Sequence, residues 1–278
     1  VNPLIIEGAT PVAADALVIL DPDAERHPHA PRTHVTPDLS PLLSPRTVAV
    51  IGASNDLLKW GGSLIHNLVD GGFAGPIYPV NGRGGTVQGL TAFASVADLP
   101  DAPDLALVAV KAPQVNAALA QCGERGVPAA VVVAAGFSEA GEEGAALEAE
   151  LVDTARASGI TLIGPNCMGL LSLHSHLHAV GFLELRPPAG RLSIVSQSGN
   201  IGVQLVNRAE QRGIGIDKYV SVGNQASTSA LDVLDALGDD AQTAAALVYL
   251  EGVGDGRHFS EVARRITRKK PVVVLRGG

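Results

Sequence analysis

The sequence predicts a doubly wound α/β protein built in two units, and three observations carry that prediction. Short β-branched, nearly all-apolar runs alternate with longer amphipathic stretches along most of the chain. The apolar runs read as strands buried on both faces, the pattern of parallel sheets flanked by helices. The stretch Arg186-Pro187-Pro188-Ala189-Gly190 interrupts the alternation and divides it in two.

The elements follow in chain order. Residues 1–20 hold two apolar runs, 2–6 and 12–18, which read as paired strands. Two isolated strands are marginal in water, so these are expected to belong to a larger sheet. Residues 21–43 are rich in Pro, His and Asp without periodicity and read as a linker. In the first unit, 44–188, strands are expected at 47–52, 76–80, 105–110, 129–134 and 160–163. In the second unit, 189–278, they are expected at 192–196, 218–222, 244–250 and 271–275. Between them Val115, Leu119 and Cys122 share one helical face. Leu147, Leu151 and Ala155 share another, on a stretch opened by Glu142 and Glu143, and Val203, Val206 and Ala209 share a third. Strand–helix–strand alternation implies right-handed crossovers.

Composition removes several function classes. The chain has 278 residues, 46% of them hydrophobic but only 3% aromatic, so its core must be Ala, Val, Leu and Ile. No apolar run reaches the length of about 18 residues that a spanning helix needs. The N-terminal residues lack the basic start of a secretory signal. A net charge of −8 argues against nucleic acid as a partner. The one basic run, 264–270, falls at an expected helix end, where it complements the dipole. Cys122 and Cys167 give neither zinc spacing nor a disulfide framework. A soluble, reduced, cytoplasmic protein is expected.

Two glycine-bearing turns stand out. Gly52-Ala53-Ser54 ends the first strand of the first unit, and Lys59-Trp60-Gly61-Gly62 opens the helix that follows. Such a turn lets backbone N–H groups approach an anion at the helix N-terminus. A nicotinamide dinucleotide fold would carry an acid at the end of the next strand. This chain has Asn81-Gly82-Arg83 there and no G-x-G-x-x-G. Arg83 suits a ribose phosphate instead. The second turn, Ser196-Gln197-Ser198-Gly199, offers two hydroxyls and a helix start to an anion, or simply caps its helix. Glu251 ends the strand at 244–250, on the strand edge where ligands gather. His174, His176 and His178 alternate and would share one face of an edge strand, while His258 reads as solvent-facing on a helix.

Residues 44–171 resemble the coenzyme A-binding domain of the ADP-forming acyl-CoA synthetases, relatives of succinyl-CoA synthetase. Five segments carry the resemblance in order: the turn at 50–54, Gly75-Pro76-Ile77-Tyr78-Pro79-Val80-Asn81, Ser95-Val96-Ala97-Asp98-Leu99-Pro100, Ala135-Gly136-Phe137-Ser138-Glu139 and Gly164-Pro165-Asn166-Cys167-Met168-Gly169. It implies a Rossmann-like coenzyme A-binding domain followed by a flavodoxin-like, succinyl-CoA synthetase-like domain. Coenzyme A would be bound by Gly52, Ala53, Ser54, Lys59, Gly61, Asn81, Arg83, Val110 and Lys111, with Asn166 and Cys167 near its pantetheine end. Lys111 departs from the family, which has proline there, and would alter the adenine-side contact.

The resemblance also implies that Ser196, Ser198 and Gly199 cradle the phosphate of a phosphohistidine, and that Glu251 hydrogen-bonds that histidine. The histidine itself would follow the strand at 271–275 and so fall past Gly278; on that expectation the chain alone does not turn over. Asn2 and Asp15 resemble the Mg²⁺-ligating Asn and Asp at the end of an ATP-grasp domain, whose remainder would be a partner domain or subunit; oxygen ligands suit Mg²⁺ beside nucleotide phosphates. The implied reaction joins a carboxylic acid to coenzyme A with ATP, giving acyl-CoA, ADP and phosphate through an acyl phosphate and a phosphohistidine. A homo-oligomer is expected. The stretch Gly223-Asn224-Gln225-Ala226-Ser227 lacks the acids the family carries after its Gly-Asn, which bears on the contact between domains. The alternative is a non-catalytic module that senses coenzyme A or acyl-CoA. An NAD(P)-dependent oxidoreductase fits less well, because Asn81 stands where an acid is needed.

Overall fold

The structure, a computed structural model, describes residues 4–7, 10–13, 37–183 and 185–277. At the N-terminus β1 (Leu4–Glu7) and β2 (Thr10–Ala13) pair antiparallel with Glu7 opposite Thr10. Asn2 and Asp15, the expected metal ligands, lie outside the described residues, as do most of the expected linker and the rest of the second strand.

The first domain opens with the short helix α1 (Ser40–Leu43) and β3 (Val48–Ile51). Then come α2 (Trp60–Asp70), β4 (Ile77–Val80), the small hairpin of β5 (Gly85–Val87) and β6 (Leu90–Ala92), and β7 (Leu105–Val108). It continues through α3 (Ala112–Glu124), β8 (Ala129–Val132), α4 (Glu142–Ala157) and β9 (Thr161–Ile163). Its sheet is all parallel, in the order β4-β3-β7-β8-β9. The expected strands are all present, each ending one to two residues earlier or starting one later than its apolar run. Every residue of β3, β7 and β8 is buried, which is why these runs are apolar on both faces.

The second sheet begins before the expected joint at 186–190. Strands β10 (Gly169–Ser172) and β11 (Leu177–Val180) precede β12 (Ala189–Ser196). After β12 come α5 (Gly199–Gln211), β13 (Ile216–Ser221), α6 (Ala230–Asp239), β14 (Ala245–Leu250), α7 (Gly256–Thr267) and β15 (Val272–Arg276). The order is β11-β10-β13-β12-β14-β15, with β10 antiparallel to β13 and the last four strands parallel. Thus the end of the first unit completes the sheet of the second. One buried cluster accordingly runs from Leu64 and Leu68 on α2 through Cys167, Leu170 and Leu177 to Val195 and Val248. The two domains share a core, and α2 packs on β11: Asn67 donates through Nδ2 to the carbonyls of Val180 and Phe182, and Arg186 bridges Asn67 and Asp70.

The histidine triplet does not share a strand face. His174 and His176 lie on a 3-10 turn, with His176 at φ 52°, and only His178 is on the edge strand β11. A turn of two-residue reach cannot keep the alternation a strand would give. Burial, helped by the Arg186 charge, pushes His178 down to about 4. The basic run does end a helix: Arg265 pairs with Asp235 and Asp239 of α6, and Lys269 with Asp239, so it also ties α7 to α6. Among the described residues no helix is long and apolar enough to cross a membrane.

Candidate active site at the carboxyl ends of the two sheets

Each sheet reverses its winding once within its parallel strands. In the first, β3 is followed by β4 on one side and, after the hairpin, by β7 on the other. In the second, β12 is followed by β13 on one side and by β14 on the other. Ligands of open α/β sheets bind outside the carboxyl ends of the strands at such switch points. The two turns singled out in the sequence fall there, one on each sheet.

On the first sheet, Gly52 has φ +92°, and its N–H and that of Ala53 both donate to Val80 O, at 2.9 and 3.0 Å. A Cβ on Gly52 would sit 2.7 Å from Ala109 O, and one on Gly61 would sit 2.0 Å from Gly52 O. Glycine is required at Gly52 by its positive φ and the nearness of Ala109, and at Gly61 because α2 begins pressed onto the turn. No side chain caps α2, whose N-cap is the exposed Lys59, 4.0 Å from Asp56 through its ammonium. Lys111 likewise starts α3 without a side-chain cap and is exposed beside half-buried Val110. Two helix starts without side-chain caps therefore flank the switch point with their positive dipole ends, although α3 carries Pro113 in its first turn and its Gln114 N–H already donates to Lys111 O. Ala53 is buried, and Ser54 accepts from Asp56 N–H at 3.0 Å through its hydroxyl, which shapes the loop. Asn81 accepts from Arg83 N–H at 3.0 Å, and the exposed Arg83 side chain has no ion-pair partner among the described residues. Sequence reasoning missed Gln88. Its amide donates to Ser54 O at 3.1 Å and Gly62 O at 2.8 Å, and its N–H to Asn55, so the β5–β6 hairpin braces the turn from outside.

On the second sheet, Ser196 is fully buried and donates to Ser198 O at 2.5 Å, so it shapes the turn from beneath. Ser198 is the N-cap of α5 and accepts from Ile201 N–H at 3.4 Å. Exposed Glu251 follows β14 directly. Gln197, quoted in the motif but given no role, is the residue that joins them: its N–H donates to Tyr249 O, its Oε1 accepts from the N–H groups of Glu251 and Gly252, and its Nε2 donates to Gly252 O. Gln197 thus ties the capping turn to the backbone at Glu251.

The loop Gly164-Pro165-Asn166-Cys167-Met168-Gly169 brings the two ends together. Asn166, at φ 55°, donates through its N–H to Ala134 O at 2.9 Å. Met168 donates through its N–H to Ser221 Oγ at 3.0 Å, and a Cβ on Gly199 would lie 2.4 Å from Met168 Cγ. The loop therefore touches the first turn of α5. Cys167, expected near the pantetheine end, turns its thiol into the core, where it donates to Val132 O at 3.3 Å and burial pushes it up to about 12. Cys122 is equally buried and also pushed up to about 12, as its helical face foretold. Asn166 instead faces outward and reaches Asn224 of the second domain at 3.2 Å. Among the described residues no group of three His, Cys, Asp or Glu is placed to hold a metal.

A family model described as a CoA binding domain matches residues 46–172, and one described as the succinyl-CoA ligase like flavodoxin domain matches 189–278. The chain therefore carries a CoA-binding domain and a succinyl-CoA ligase-like flavodoxin domain. The two sheets are thus those of a Rossmann-like and a flavodoxin-like domain. It is 42% identical over 237 residues to the alpha subunit of ADP-forming acetate–CoA ligase II of Pyrococcus furiosus, covering 85% of this chain and 51% of that one. It is 40% identical over 242 residues to the ADP-forming 4-hydroxybutyrate–CoA ligase of Nitrosopumilus maritimus, covering 86% of this chain and 34% of that one. Among solved structures, acetyl-coenzyme A synthetase 1 of Ca. Korarchaeum cryptofilum, in complex with phosphate and ADP, superposes with a TM-score of 0.83. It is 37% identical, over 87% of this chain and 52% of that one. The chain spans about half the length of the alpha subunits it matches.

Proposed function

We propose that this chain supplies the coenzyme A-binding and phosphoryl-receiving domains of a nucleotide-dependent acid–CoA ligase. The whole reaction interconverts a carboxylic acid, coenzyme A and ATP with acyl-CoA, ADP and phosphate. The contact of Met168 with Gly199 carries the reading, because it brings the loop assigned to the pantetheine end against the helix start assigned to a phosphoryl group.

In this reading the phosphates of coenzyme A lie at the starts of α2 and α3, beside the turn that Gly52 and Gly61 keep packed against its neighbours. Arg83 pairs with the ribose phosphate, Lys59 and Lys111 add charge, and Asn81 holds the Arg83 turn. Asn166 contacts the arm near its thiol, and Cys167 supports it from the core through the backbone. On the other sheet, the N–H groups opening α5 donate to phosphoryl oxygens, and Glu251 accepts a hydrogen bond from a ring N–H of a histidine. Carrying the phosphoryl group covalently between distant centres splits one difficult transfer into easier ones. Asn2 and Asp15 would ligate Mg²⁺ beside nucleotide phosphates within an ATP-grasp domain or subunit, and the assembly would be a homo-oligomer.

Isothermal calorimetry tests the ligand assignment on this chain. Coenzyme A should bind and NAD should not; micromolar binding of NAD with no heat from coenzyme A overturns the reading.

A further inference from the structure

Asn224 follows β13 in the second domain, yet its side-chain amide reaches into the first. Nδ2 lies 3.1 Å from Ser138 Oγ, 2.5 Å from Glu139 Oε2 and 2.8 Å from Glu148 Oε2, while Oδ1 accepts from Asn166 Nδ2 at 3.2 Å. Its backbone N–H donates to Pro165 O at 3.0 Å. A primary amide carries two protons, so three acceptors from one domain converge on a donor from the other.

The acceptors come from separate places. Ser138 and Glu139 follow β8, and Glu148 is on α4. Neither carboxylate has an ion-pair partner among the described residues. Glu139 also accepts from the N–H groups of Gly136 and Phe137, at 2.5 and 3.1 Å, so it sets the shape of that turn. Partial burial opposes its ionisation, but the Asn224 amide and these N–H groups outweigh burial and hold the carboxyl below its usual range. Glu148 likewise accepts from Ser138, through its N–H at 3.3 Å and its hydroxyl at 2.8 Å, and the two carboxylates meet at the one nitrogen of Asn224, whose protons offset their repulsion. Gly223 is held just as closely, since a Cβ there would lie 2.2 Å from Pro165 O.

We propose that Asn224 is a positioning residue that joins the domains at the pantetheine end of bound coenzyme A, holding the loops of Glu139 and Asn166 in register with the end of β13. The proposal rests on the coenzyme A reading above and deepens it. The nucleotide end of the ligand, at the Gly52 turn on another strand, should not sense Asn224. The pantetheine arm should.

The test compares coenzyme A with 3′-phospho-ADP, its nucleotide without the arm, by calorimetry on this chain. Asn224→Ala should weaken coenzyme A about tenfold, the effect of one lost hydrogen bond to a charged group. Asn224→Asp, which sets a third carboxylate beside Glu139 and Glu148, should weaken it more, and Ser138→Ala less. Affinity for 3′-phospho-ADP should stay within twofold throughout. Equal losses for both ligands, or unchanged affinity for coenzyme A, overturn the proposal. Wild-type protein that binds neither ligand overturns the coenzyme A reading itself, a separate outcome. Should Asn224→Asp fail to fold, the Ala variants decide, with thermal unfolding as the check on each.

Discussion

Gly61→Ala puts the close approach of α2 to the Gly52 turn to the test. In the first turn of an exposed helix the substitution should stabilise, because glycine is worse than alanine by up to about 1 kcal/mol. Here the new Cβ would stand 2.0 Å from Gly52 O, 2.7 Å from Gly52 C and 3.1 Å from Ala53 Cα. All three are backbone atoms, so none can rotate away. Carbon atoms prefer about 3.5–4.0 Å, so α2 must retreat by about 1 Å or more. Overpacking of this kind costs about 1–3 kcal/mol, which outweighs the gain in propensity. The helix start would also withdraw from the anion it is proposed to hold, and a charge-assisted hydrogen bond is worth about 1.5–3 kcal/mol. Net destabilisation of about 1–2 kcal/mol and at least a tenfold loss of coenzyme A affinity are expected. The single tryptophan, Trp60, adjoins the site and reports urea unfolding directly. Gly256→Ala, at the first residue of α7 with nothing within 4 Å of its Cβ, is the control and should be neutral or slightly stabilising. A Gly61→Ala protein that unfolds with the wild type and binds coenzyme A within twofold of it would refute the reasoning.

Other outcomes follow from the same geometry. Arg83→Ala should weaken coenzyme A by about tenfold or more and dephospho-coenzyme A little, as calorimetry would show, since a well-formed charge-assisted contact to the ribose phosphate is at stake. Both thiols, pushed up to about 12 by burial, should stay protonated at pH 8 and resist a thiolate-selective reagent in the native chain, while both react in denaturant. Burial works against the Asp240 charge, but Lys218, Gln242 and Thr243 prevail and lower it to about 2. Its contribution to stability should therefore be full above about pH 4 and lost as pH falls toward 2, seen as a falling thermal midpoint. Lys218→Met removes the ammonium that buried Asp217 shares with Asp240, leaving Asp217 only His174, Ser193 and Thr243, and should cost about 3–5 kcal/mol in thermal or urea unfolding.

The strands that the sequence reveals are those whose environment is uniform along their length. β3, β7 and β8 lie between helix layers, so their residues are apolar without interruption and the run itself marks the strand. The β5–β6 hairpin carries no such mark: its strands are three residues long and half exposed, and Gly85 and Gly89 break the pattern. Strands β10 and β11 are apolar enough to notice, but their partner β13 lies far along the chain, and a local pattern does not name a distant partner. For that reason the Pro-rich joint read as the boundary, while the hydrogen bonds of the sheet cross it.

The site was legible to the extent that it depends on backbone. Where α2 meets β3, and where α5 meets Met168, the close approach demands glycine, and glycine between a strand and a helix is visible in any sequence. Side chains that act by bridging two segments leave no comparable trace. Gln88 braces the Gly52 turn across about thirty residues, Gln197 ties Glu251 across 54, and Asn224 gathers Ser138, Glu139 and Glu148 across 86, 85 and 76. Each is an ordinary amide in a loop, and its role exists only once the fold sets its partners around it. The missing acids after Gly223-Asn224 gain a meaning the same way: Gln225 accepts from Ala230 N–H at the start of α6, Ala226 and Thr228 reach the first domain through their backbone N–H groups, and the side-chain contact with Glu139 and Glu148 comes from Asn224. A carboxylate at Asn224 itself would face Glu139 and Glu148 with no proton to share, so at that point an amide is what the two acids require.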